Sequence, residues 1–197
     1  MMKAFGIAVG GAMIIAWLGG SAATAEPLGN ATRGVGQFRF LQGSKWYVPA
    51  ETLPAMELQL RNGRVRALVD QTVWDITNYR DGYFWGRTAA VFKYAATGQP
   101  VGGPACSTMV GSVTPDGRIY ITFVSQGQKT TLGATRGIGT LTGNDQQGWT
   151  FQMQMSTGVN TVIAHWSYMD QCKAGDACEA QLPGSDLSLA DFLAQCD

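Results

Sequence analysis

Apolar and polar residues alternate with a period of two through most of residues 56–169, and turn residues break the alternation at short intervals. Consecutive half-buried β-strands joined by tight turns produce this pattern. It is clearest between Cys106 and Met169. In CSTMVGSVTPDGRIYITFVSQ, Pro115-Asp116-Gly117 suits a three-residue loop, with Pro at the second position of a type I turn and Gly at the left-handed bulge position. That loop pairs Thr114 with Arg118 and sets Met109, Gly111 and Val113 beside Ile119, Ile121 and Phe123; Thr108, Ser112, Tyr120 and Thr122 take the other face. In GWTFQMQMSTGVNTVIAHWSYM, a two-residue Thr157-Gly158 loop pairs Met153 with Val162, Phe151 with Ala164 and Trp149 with Trp166, with Gln152 and Gln154 turned away. Residues 129–142 read as a strand in which Gly133, Gly137 and Gly139 permit sharp curvature or close backbone approach.

Two more hairpins precede these. In MELQLRNGRVRALV, Asn62-Gly63 is a strong two-residue turn signal. It sets Met56, Leu58 and Leu60 opposite Val69, Ala67 and Val65 on the core face, and puts Glu57, Gln59, Arg61, Arg64 and Arg66 on the wet face. In TVWDITNYRDGYFWGRTAAVFKY, a three-residue Arg80-Asp81-Gly82 loop places Asp75 opposite Arg87 and gathers Trp74, Ile76, Phe84, Ala90 and Phe92 on one face. A two-residue loop would set Ile76 against Arg87 instead, so the first register is expected. Residues 26–55 contain a weak strand, Gln37–Phe40, then YVPAETLPA, which Pro49 and Pro54 hold extended or turned. Trp46 and Tyr47 are expected to plug one end of the core. Beyond Met169 the alternation stops, and residues 187–195 read as one short helix capped by Ser185 or Asp186, with Leu189, Phe192 and Leu193 on its apolar side.

The expected fold is all-β: an antiparallel up-and-down meander of about 8–10 strands, closed into a barrel so that no long edge is left bare, with one short C-terminal helix. This architecture resembles the calycin barrels of lipocalins and avidins. Gly43-Ser44-Lys45-Trp46 is similar to the Gly-x-Trp signature at the first strand of lipocalins, with one residue more between the Gly and the Trp. The resemblance is one of fold only; a barrel of about eight strands is just wide enough to pack solid or to hold one small ligand.

Residues 1–25 read as a secretory signal peptide: Lys3, an apolar run from Phe5 to Leu18, and Ala23-Thr24-Ala25 before Glu26. Residues 26–55 then form an N-terminal segment, 56–170 the barrel and 171–197 a disulfide-linked tail. Export to a periplasm or to the outside makes oxidation of the four cysteines the expected state. Counting strands from Cys106 brings Cys172 out at the far end of the barrel, which disfavours Cys106–Cys172, and Cys178, only six residues further on, would make a strained partner for Cys106 as well. The expected bonds are therefore Cys172–Cys178, closing the KAGDA loop, and Cys106–Cys196, strapping the helix across the outside.

Fourteen Lys and Arg balance fourteen Asp and Glu, and no basic run occurs, so nucleic acid is not an expected partner. Once the signal is cleaved, no integral span is expected; an outer-membrane barrel was the competing architecture, but it would carry its apolar face toward lipid. His165 is the single histidine. The hairpin register puts it opposite Thr150 on the outer face, without a nucleophile elbow or a metal-ligand set around it, and no cofactor is implied. The leading expectation is a non-enzymatic binding barrel for a small apolar or aromatic ligand. Trp74, Phe84, Phe123, Trp149, Phe151 and Trp166 would line it, and Asn78 and Thr88 would supply inward polar groups. The alternatives are an envelope or extracellular protein-interaction module acting through its loops and YVPAETLPA, and a small isomerase- or cyclase-type barrel enzyme.

Overall fold

The computed structural model describes residues 34–126, 134–158 and 161–197. The signal-peptide segment and residues 127–133, which include Gly133, lie outside these. Nine strands form one antiparallel sheet: β1 (Ser44–Tyr47), β2 (Pro54–Gln59), β3 (Arg64–Arg80), β4 (Tyr83–Tyr94), β5 (Ala105–Val113), β6 (Arg118–Ser125), β7 (Thr135–Asn144), β8 (Gly148–Thr157) and β9 (Thr161–Cys172). Neighbours in sequence pair from β2 to β9, and β9 pairs back onto β2, so the meander closes into an eight-strand barrel. β1 and β2 run in the same direction between β3 and β9, so they are two halves of one interrupted wall position.

One end is plugged. Val35, Phe38 and Leu41 recur every third residue, which is the period of a 3-10 helix, and Val35–Leu41 forms one in place of the expected strand. Those three side chains are buried, Phe38 and Phe40 pack on Trp149, and Tyr79 donates to the Val35 carbonyl at 2.6 Å. Next to the plug the barrel is packed solid. Trp46, Trp74 and Phe84 all pack around Phe151, with ring centroids 4.4–6.1 Å apart. An interior filled this way is unlike the polar lumen of an outer-membrane barrel.

Gly111 is needed here. A Cβ at this position would stand 2.4 Å from the Phe84 ring, which is fully buried and cannot swing away. Gly111→Ala is expected to lower stability by about 1–3 kcal/mol through overpacking. A chemical-denaturation midpoint equal to that of the wild type would show that the ring is free to move.

The β5–β6 hairpin has the expected register, with Met109, Gly111 and Val113 opposite Phe123, Ile121 and Ile119. In β3–β4, Asp75 does face Arg87, but by another route. The turn is the two-residue Asp81-Gly82, both residues with positive φ, and a bulge at Thr77 supplies the offset. That extra residue reverses which way the following side chains point, so Asn78 is exposed rather than inward.

Two hairpins differ more. β2–β3 pairs Met56 with Ala67 and Leu58 with Val65 around a four-residue turn, and its faces are the reverse of those expected. Glu57 is buried and bonded to Arg66 at 2.6 Å, whereas Met56, Leu58, Leu60 and Val65 are exposed. In β8–β9, Phe151 faces Met169 and Met155 faces His165, five positions from the expected pairing. An odd slip turns over the whole strand, so Trp166 points out and His165 points in.

The tail packs on the outside of β3 and β4. The helix expected over residues 187–195 spans Leu189–Ala194 (α2), capped by Ser188, whose hydroxyl accepts from the Asp191 amide. A shorter helix, Ala177–Ala180 (α1), precedes it. Cys178, Leu182, Leu189, Phe192 and Leu193 cover Val73 and Ala89 in a second, smaller core. The disulfides are Cys106–Cys196 and Cys172–Cys178.

Candidate functional site

The break between β1 and β2 shapes the polar interior. Residues 48–53 leave the wall, so the facing backbone of β3 and β9 loses its ladder partners, and side chains take their place. The Gln71 amide donates to the Val48 and Pro183 carbonyls and accepts from the Val48 N–H. Thr52 donates to the Tyr168 carbonyl at 2.9 Å. His165 Nε2 lies 2.6 Å from the Thr52 carbonyl oxygen.

That last contact fixes one proton of the imidazole. A carbonyl oxygen only accepts, so Nε2 carries a proton. His165 Nδ1 lies 2.8 Å from Asp70 Oδ2, off the N–H axis, and a carboxylate also only accepts. With Nε2 protonated, Nδ1 is the ring nitrogen that faces the Asp70 carboxyl group. Burial pushes the His165 pKa down, but the Asp70 carboxylate and the Thr52 carbonyl outweigh burial and hold it above the ordinary 6.5. Asp70 also accepts from the Thr72 hydroxyl at 2.7 Å. His165 and Asp70 are 4% and 3% exposed, so the pair is internal.

This pair lines a cavity of about 140 Å³ in the half of the barrel away from the plug. Trp74, Phe92, Phe123, Met155 and Ile163 supply its apolar wall. Thr72, Thr88, Ser107, Ser125, Thr135 and Thr157 ring it with hydroxyl groups. Of these, Thr88 is directly opposite Trp74, Ser107 opposite Thr88, and Ser125 opposite Ser107, a single row across β3, β4, β5 and β6. Trp74 Nε1 and Thr88 Oγ1 are buried without a hydrogen-bond partner among the described residues.

Among the residues expected to line a site, Trp74, Thr88 and Phe123 reach the cavity. Phe84 and Phe151 belong to the solid core beneath it, and Trp149 packs at the plugged end. Asn78 and Trp166 are exposed, the first turned out by the bulge and the second by the β8–β9 register. The sequence puts His165 on the outer face and gives no sign of Asp70, whereas both are buried at the cavity. They lie 95 positions apart, with no local pattern joining them; the available signal was the Pro49–Pro54 break, which leaves a gap in the wall that buried polar side chains must fill.

One His165 ring nitrogen is held by the Thr52 carbonyl and the other faces Asp70.

On the outer surface, Met56, Tyr120, Ile138 and Trp166 line a shallow groove over Gly137, with Arg136 and Gln154 at its sides. Comparison with protein-family models, with curated proteins and with solved structures gives no match.

Proposed function

We propose that the protein is an exported, non-enzymatic barrel that binds a small molecule in the cavity beside Trp74. The observation that carries this reading is the pair of buried, unpartnered polar atoms, Trp74 Nε1 and Thr88 Oγ1, on residues that line the cavity. Buried donors and acceptors are paired in nearly all native structures, and an orphaned pair at a cavity marks a place for a partner. A volume of about 140 Å³ matches a ring-sized molecule better than a long-chain lipid. An apolar cavity of about 150 Å³ holds benzene, whereas drug-sized ligands occupy about 300–1,000 Å³. Two disulfides that close the outer surface are consistent with an oxidising compartment.

A second reading rests on the outer groove, where Trp166 is 53% and Ile138 59% exposed. Exposed apolar patches mark interaction surfaces, so an envelope or extracellular protein is the competing partner.

Native mass spectrometry of the protein purified from its exported fraction separates the two. The expected result is a retained small mass that the cavity-filling variant Ala105→Leu no longer carries. A co-purified protein lost on Trp166→Ser would favour the groove, and a bare mass from every preparation would sink the cavity reading.

A further inference from the structure

The cavity wall specifies the class of molecule it fits; this step rests on the binding reading given above. We propose that the cavity takes a neutral, ring-sized molecule with oxygen atoms along one edge, and that the row Trp74–Thr88–Ser107–Ser125 recognises that edge.

Size, charge and hydrogen bonding each narrow the class. A volume of about 140 Å³ admits one six-membered ring with a substituent or two. Trp74 and Phe123, with ring centroids 5.5 Å apart, give that ring an aromatic wall. Among the described residues, the ionisable side chains on the lining are Asp70 and His165, which face each other at 2.8 Å. Each is the other's partner, so no described lining residue offers an unpaired charge to an ionic ligand, and a charged molecule would lose its hydration without compensation.

The hydrogen-bonding row lies along one side. Directly opposed residues on one sheet face have Cβ atoms about 4.5–5.5 Å apart, so Thr88, Ser107 and Ser125 form a row of hydroxyl-bearing residues that leads across the sheet from Trp74. An indole N–H only donates, and each hydroxyl donates or accepts. The atom facing Trp74 Nε1 is therefore an acceptor, and hydroxyl or carbonyl oxygens satisfy every member of the row. A purely hydrocarbon ligand would leave Trp74 Nε1 and Thr88 Oγ1 buried and unpaired.

Isothermal titration of the full exported chain with toluene, phenol and resorcinol tests this, since the three differ in how many hydroxyls they carry on the same ring. Affinity is expected to rise about 3- to 10-fold with each added hydroxyl. Thr88→Val, which keeps the β-branched shape, and Ser107→Ala are expected to flatten the series to within roughly 2-fold per step. Thermal unfolding of both variants checks that they fold. If toluene binds as tightly as resorcinol, the cavity binds small molecules but not by this edge. A rising series unchanged in both variants also overturns the row. If none of the three binds, the binding reading falls with it.

Discussion

His165→Leu is expected to lower stability by about 3–5 kcal/mol, far more than the loss of one buried hydrogen bond. The leucine leaves the Asp70 carboxylate buried 3% exposed with only Thr72 to bond it, and the Thr52 carbonyl loses its donor. An uncompensated interior charge is the expensive part, because the matched pair itself is close to neutral in net stability. Adding Asp70→Asn to His165→Leu should therefore recover a large share of the loss. Denaturant midpoints of the wild type, His165→Leu and the double variant measure the coupling. A double variant less stable than His165→Leu alone would show that Asp70 acts chiefly through Thr72.

The same pair gives stability a pH dependence of fixed sign. Unfolded, His165 titrates near 6.5; folded, its pKa is raised. The folded state thus binds the proton more tightly, and its contribution is complete below about pH 6.5 and is lost as the pH rises through the folded value. Wild-type stability should fall across that interval, whereas the double variant, with neither charge, should be flat there. A wild-type profile that rises with pH would mean that the imidazole is neutral.

Local turn chemistry decides which parts of this fold are legible in the chain. Pro115-Asp116-Gly117 admits one loop geometry, and the β5–β6 register follows from it. Thr157-Gly158 constrains little, and both faces of β9 are partly apolar: Val162, Trp166 and Tyr168 on one, Ile163 and Met169 on the other. Alternation alone cannot choose between them. β2–β3 misleads for another reason. Apolar residues need not be inside, and here Glu57 and Arg66 satisfy each other within the wall while Met56 and Leu58 stay exposed. The cavity was legible only in part, because Trp74, Thr88 and Phe123 depend on hairpins read in the right register, whereas Asp70 and His165 meet only once β3, β9 and the interrupted β1–β2 position have closed the barrel.

Removing the Cys106–Cys196 bond as Cys106→Ser/Cys196→Ser is expected to cost about 4–5 kcal/mol, and removing Cys172–Cys178 only about 2 kcal/mol. The difference follows from the chain each bond closes, 90 positions against 6, because a cross-link acts largely by restricting the unfolded ensemble. The folded state adds to the contrast. Cys106 lies directly opposite Ala89, and the bond ties the end of α2 across β4, holding Phe192 and Leu193 over Val73 and Ala89. Arg87, which faces Asp75 across the hairpin, also pairs with the C-terminal residue Asp197, so the same strap positions a second contact on this face. The short KAGDA loop closed by Cys172–Cys178 is already held by the Asp176 carboxylate, which accepts from the Lys173 N–H, and by Glu179, which accepts from the Gly175 N–H. Urea unfolding of the two double-serine variants, each with the other bond intact, gives the comparison directly. Equal losses, or a larger loss at Cys172–Cys178, would show that the tail stabilises the barrel by its packed apolar face and not by the long loop its last cysteine closes.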